Sequence, residues 1–131
     1  MFLIKVDKIH SIIEFNLEGI FQMDEMTQFV DQLKGSTIAL KGNQIKIKAD
    51  LRRFKPSSPA VADMIRQVQE FGISNGVIRV AEMVESEVLA LQLNRVARES
   101  GTHKILHRFA DEGEAREWLI HGEVAKKSQR F

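Results

Sequence analysis

The spacing of apolar residues switches repeatedly between two periods, and this switching limits the possible folds more than any other feature. Ile13, Phe15 and Leu17 alternate with Glu14 and Asn16, the period of two of a half-buried strand. Met26, Phe29, Val30 and Leu33 then fall at i, i+3, i+4 and i+7, one stripe of a helix. The alternation returns at Ile45, Ile47, Ala49 and Leu51, against Lys46, Lys48 and Asp50. The helical stripe returns at Val61, Met64, Ile65 and Val68. Val77–Val84 is a dense apolar run broken by Arg79 and Glu82, as expected of an interior strand. Leu89, Leu93 and Val96 mark a third helix, Lys104–Phe109 a last strand, and Ala115, Trp118 and Leu119 a fourth helix. The first strand is expected at Phe2–Val6, joined to the second through a turn containing Asp7, Lys8 and His10.

Local stop and start signals divide these segments. Asp24, Ser58, Ser86 and Asp111 are expected N-caps, the last with Glu114 as an acidic variant of the capping box. Gly35, Gly72, Gly101 and Gly122 are expected helix ends. Thr37–Leu40 reads as either a short extra strand or a loop. The order β-β-α-β-α-β-α-β-α predicts a single α/β domain over residues 1–122. It has an opening hairpin, a mostly parallel sheet and four helices that cross over it. Residues 123–131 read as a polar, basic tail.

A chain of 131 residues is long enough to bury a core without covalent staples. A net charge of +1 supplies no global field for nucleic acid or acidic membranes. The absence of cysteine excludes disulfides, thiolate metal sites and a cysteine nucleophile, and suits a reducing compartment. No apolar run approaches the roughly 18 residues of a membrane span, and the N-terminus MFLIKVDKI lacks the pattern of a signal peptide. The expected location is the cytoplasm.

In parallel α/β sheets, sites gather where strands end and helices begin. The stretch ADLRRFKPSSPAVADMI, residues 49–65, is such a place, and it holds both prolines of the chain. Asp50, Arg52, Arg53 and Lys55 precede Ser57 and Ser58 in an expected loop running from Asp50 to Ser58. Ser58 as N-cap with Pro59 at the first helical position is explained by capping alone, worth about 1 kcal/mol. The same helix mouth suits an anion or a phosphate on serine, with positive charge beside it.

Other chemistries find less support. Residues 41–55 carry six basic side chains against one acid, Asp50, but Phe54 is the only nearby aromatic and the chain has no Tyr, so nucleic-acid binding is not expected. His103 and His107 are four apart in an expected strand and have no third ligand at a recognisable spacing. Asp50 as a general base has no oriented partner, which leaves a small enzyme as the weakest hypothesis. The glycines form no nucleotide-binding fingerprint. No cofactor, metal or catalytic residue is expected.

The segments KIKADLRRFKPSSPAV, VIRVAEMV and RFADEGEAREWL, in this element order, resemble the STAS domain superfamily. The similarity is to its SpoIIAA-like branch, that of the anti-sigma factor antagonists, and covers about residues 1–121. The resemblance implies a non-enzymatic regulatory module. Such a module docks a protein partner, an anti-sigma-factor-like kinase, through the Asp50–Ser58 loop and the following helix start, and phosphorylation of Ser57 or Ser58 switches it off. The antagonist motif reads Asp-Ser-Ser-Gly, and here Pro56 and Pro59 flank the serines. The alternative is a small-ligand domain holding a lipid or other amphipathic molecule between sheet and helices, with Arg52 or Arg53 at its headgroup. A homodimer through the first strand is also expected, from Phe2 and Ile4 near a sheet edge.

Overall fold

The opening turn is made by Asp7. Its carboxylate accepts hydrogen bonds from the backbone N–H groups of Ile9 (3.0 Å) and His10 (3.2 Å). This folds β1 (Phe2–Asp7) back antiparallel onto β2 (Ile12–Gly19). In this computed structural model, which describes residues 1–122, the chain continues through α1 (Met23–Ala39), β3 (Ile45–Phe54), α2 (Pro59–Ser74), β4 (Val77–Met83) and α3 (Glu87–Ser100). A 3-10 turn (Thr102–Lys104), β5 (Leu106–Arg108) and α4 (Glu112–His121) complete it. The tail expected at residues 123–131 lies outside the described residues. The five strands lie side by side in chain order, with β2 to β5 all parallel. The fold is thus a single α/β domain with an opening hairpin, a mostly parallel sheet and four helices.

Each face of the sheet has its own core. Met26, Phe29 and Leu33 of α1, Val61 and Val68 of α2, and Leu89 and Leu93 of α3 bury against Ile13, Leu17, Ile47, Leu51 and Val80. The second core is smaller: Ala115, Trp118 and Leu119 of α4 close over Ile12 and Ala81. Side chains of successive strand residues point to opposite faces, so one strand serves both cores. Ile12 and Ile13 are neighbours in sequence and each is fully buried, one under α4 and the other under the three-helix layer.

The helix ends correct several expectations. Gly35 does not stop α1, which runs on to Ala39 through the segment read as strand or loop. A glycine ends a helix by taking a left-handed φ, and Gly35 does not; instead Thr37 stays on the buried stripe and donates to the Leu33 carbonyl at 2.8 Å. Asp24 lies in the first turn, and the N-cap is Gln22. Gly72 is likewise internal to α2, where a Cβ would stand 3.3 Å from Val77. Gly122 does end α4, at φ +80°, and a Cβ there would meet the Arg79 guanidinium at 2.7 Å. That guanidinium donates from Nε and Nη2 to the Leu119 carbonyl, tying the end of α4 to β4. The expected strand Lys104–Phe109 is only three residues long, because the 3-10 turn takes its first part.

Candidate functional site

The loop that opens α2 is shorter than expected. β3 continues to Phe54, whose ring packs edge-on against Phe21 at 5.5 Å, so Arg52 and Arg53 are strand residues and the connection is Lys55–Ser58. Burying both Leu51 and Phe54 on the helix side requires an irregularity between them, and the β2–β3 register shifts there.

Ser58 is the N-cap of α2. Its Oγ accepts from the Val61 N–H at 3.3 Å, and Pro59 occupies the first helical position. Ser57 is held from α3: its N–H donates to Gln92 Oε1 and its carbonyl accepts from Gln92 Nε2, both at 2.8 Å. This two-point clamp fixes the backbone just before the helix. The Ser57 hydroxyl oxygen is buried and has no hydrogen-bond partner, whereas Ser58 is exposed together with Lys55, Pro56, Pro59 and Ala60. Next to this mouth, Val88 (66% exposed) and Leu91 (70%) stand on the first turns of α3. A groove between the two helices is lined by Pro59, Ala62, Asp63, Leu91, Gln92 and Arg95.

Asp50 and Arg52 do not face this groove. They project on the α4 side of β3, where they belong to a chain of alternating charges. The Arg52 guanidinium donates to Asp50 at 2.9 and 2.7 Å and to Glu112 at 3.1 Å. Glu112 accepts from Lys48 at 2.7 Å, Lys48 reaches Glu14 at 3.5 Å, and Arg116 bridges Glu14 (3.1 Å) to Asp7 (2.6 Å). The Arg52 hydrogen bonds hold the Asp50 carboxyl below its ordinary range, and the Lys48 bond does the same for Glu112. Asp50 in turn raises Arg52. An aspartate tied at both oxygens and held ionised is a poor general base. Much of the basic cluster is thus neutralised in place, while Arg53 and Lys55 remain exposed.

The histidines are not brought together. His103 lies in the 3-10 turn with Nδ1 3.3 Å from the Ala97 carbonyl, and His107 lies on β5 against the Trp118 ring at 4.5 Å. Among the described residues no group of three or more His, Cys, Asp or Glu side chains could hold a metal ion. Also among the described residues, no helix is long and apolar enough to cross a membrane.

A second feature lies on the helix side of the sheet, and its buried ion pair escaped the sequence reading. A cavity of about 80 Å³ lies between the sheet and α2, lined by Leu33, Ala49, Val68, Leu93, Gln69 and Glu82, among others. Glu82, only 3% exposed, is buried in this largely apolar wall, which Thr37, Gln69 and Thr102 also line. Arg108, its neighbour across the β4–β5 ladder, donates from Nε to Oε1 at 3.1 Å, while Arg108 Nη2 is buried without a partner. Loss of hydration pushes the Glu82 carboxyl up despite the arginine. The sequence signal was Glu82 itself, an acid interrupting an apolar strand. The cavity is on the opposite side of the sheet from Arg52, so Arg52 is not placed to meet a ligand there. No protein-family model matches the chain, and no curated protein matches it.

Proposed function

We propose that this chain is a non-enzymatic regulatory module that docks a protein partner at the mouth of α2 and the adjoining first turns of α3. The observation that carries the reading is the division of labour between the two serines. Gln92 immobilises the Ser57 backbone from α3, and Ser58 presents an exposed hydroxyl at a rigid helix start. Preorganised backbone lowers the entropy cost of association. The exposed apolar pair Val88 and Leu91 supplies what a docking surface needs at its centre. The first turn of α2 carries no acid, so a phosphate on Ser58 would meet the positive end of the helix and exposed Lys55 without a competing side chain. This agrees with the STAS-like pattern of the sequence, with Ser58 the modified residue and a serine-directed kinase as partner.

Incubation with kinase-containing fractions of the native host, followed by intact-mass and fragment-ion measurement, should place one phosphate on Ser58 and none on Ser57. Ser58→Ala should abolish it. A photo-crosslinker at position 55 should capture a partner that Leu91→Asp no longer captures. If Ser58 stays unmodified and Leu91→Asp captures the same proteins as wild type, the reading is wrong.

The homodimer reading draws on β1, an edge strand of the sheet, but Phe2 and Ile4 pack against the core, and the exposed apolar residues of this strand are Leu3 and Val6. Light scattering across a concentration series tests it.

A further inference from the structure

The two edges of the sheet differ. β5 spans only three residues, Leu106–Arg108, whereas β1 pairs with β2 over all six of its residues in unbroken register. Short edge strands resist pairing with other chains, and longer flat ones invite it. Met1 and Glu18 extend the β1–β2 ladder by exchanging both backbone bonds, at 2.9 and 3.1 Å. In an antiparallel ladder such exchanging pairs alternate with pairs that make no bond. Leu3, Lys5 and Asp7 therefore also bond to β2, and the N–H and C=O groups of Phe2, Ile4 and Val6 point away from the sheet. The side chains of Phe2 and Ile4 pack against the three-helix core, and Val6, on the same face by alternation, is exposed. Leu3 and Lys5 lie exposed on the opposite face.

A second copy of this edge fits it in one register. Antiparallel pairing centred on Ile4 sets Phe2 of each copy opposite Val6 of the other and Ile4 opposite Ile4, so three pairs exchange backbone bonds. It also sets each Lys5 beside Leu3 of the other copy, where the lysine stem covers an exposed apolar side chain. Sliding one pair toward the turn brings Lys5 opposite Lys5, a repulsive contact, and leaves two bonded pairs. Sliding the other way also leaves two and strands Val6. Lys5, the kind of residue that guards an edge, thus limits the register and not the pairing.

We propose that two copies of this chain join through β1, antiparallel about a two-fold axis at Ile4, so that their sheets become one. This rests on the homodimer reading above and assigns it a surface and a register. The axis keeps both three-helix layers on the same side, and the row Phe2, Ile4 and Val6 of one copy continues into that of the other. The contact closes on itself, because it uses the same edge of both copies.

The chain has no cysteine, so single introduced cysteines report the register. Leu3→Cys and Lys5→Cys chains are mixed in equal amounts, equilibrated in a glutathione redox buffer and read by intact mass without reduction. In the proposed register positions 3 and 5 of different copies form a non-bonded pair with Cα atoms about 4.5 Å apart, within disulfide reach. Like positions stand two residues out of register, beyond that reach. The mixed disulfide should exceed either like disulfide roughly tenfold. In sedimentation velocity the wild-type mass should rise toward twice the chain mass with concentration. Val6→Pro removes an outward N–H and spares every bond to β2; with native circular dichroism, it should stay monomeric over the same range. Should Val6→Pro fail to fold, the cysteine mixture decides alone. A wild-type chain that is monomeric at every concentration overturns the homodimer reading and this proposal with it. A dimer that survives in folded Val6→Pro, or a statistical mixture of the three disulfides, leaves a homodimer through another surface and overturns the pairing through β1.

Discussion

The two faces of the sheet solve the same packing problem differently. The three-helix face excludes water over a broad area and stabilises by apolar burial, with Thr37, Thr102 and Glu82, the last paired to the partly exposed Arg108, as buried polar exceptions. The single-helix face has a cluster of five buried residues, Trp118 among them, bordered by the charge chain from Asp50 to Asp7. One helix cannot cover five strands. The uncovered rows of β2 and β3 therefore carry charged side chains, paired so that the long stems lie over the sheet and the heads meet solvent. A buried charge pair is costly to break, whereas a half-exposed one is nearly free energetically. The two faces should therefore answer mutation on different scales.

The largest contrast should come from breaking the buried pair. Arg108→Leu alone leaves Glu82 buried and unpaired and should cost about 3–5 kcal/mol in urea denaturation. The double variant with Glu82→Leu should recover most of that loss. A single variant as stable as wild type would show that the pair is hydrated and the contrast between faces false. Leu119→Ala on the α4 face and Leu89→Ala on the three-helix face should each cost about 2–5 kcal/mol, since both are fully buried. The cost at Leu119 should be nearer the lower bound, because a one-helix layer can settle into the space.

Ser58→Ala removes a helix cap and should lower stability by about 1 kcal/mol, with Ser58→Asp restoring it. Full stability in the alanine variant would indicate that Pro59 and the Gln92 clamp hold the helix start without the hydroxyl.

The smallest effect is expected at the charge chain. Glu112→Gln should cost no more than about 1 kcal/mol, and less at high salt. Its signature is the pH profile. The carboxyls of Asp50 and Glu112 titrate below their ordinary values, so their stabilisation is complete above that range and is lost as pH falls through it. Glu112→Gln should flatten this acid limb. Glu82 runs the other way. Its raised pKa means that folding favours the protonated form, so stability declines as pH rises above the ordinary glutamate value of 4.5. Melting temperatures measured across pH should show this decline in wild type and not in the Leu–Leu double variant.

Much of the layout was legible from spacing alone. The switch between periods of two and 3.6 located β2, β3 and the four helices, because burial of one face imposes that spacing, while β1 and β4 were read from apolar runs and the 3-10 turn was missed. Ser58, Ser86 and Asp111 were legible as caps because a short polar side chain before an apolar stripe has few other uses. Gly35 and Gly72 misled, because a glycine's permitted φ range does not reveal which value packing selects. Arg52 misled for a related reason. It was expected in a loop yet lies on β3, and the partners that neutralise it, Asp50 and Glu112, come from its own strand and from a helix 60 residues on.

By itself the sequence determined the order of elements, their inward faces and the serine cap at the start of α2. These follow from local backbone geometry and from the free energy of removing apolar surface from water, both of which leave a periodic trace in the chain. Only the tertiary structure decided which side chains meet across the sheet: Gln92 on Ser57, Arg108 on Glu82, Glu112 on Lys48 and Arg52. Such pairings depend on register and on the crossing of helices over strands, set by the packing of the whole core, and no stretch of sequence encodes them alone.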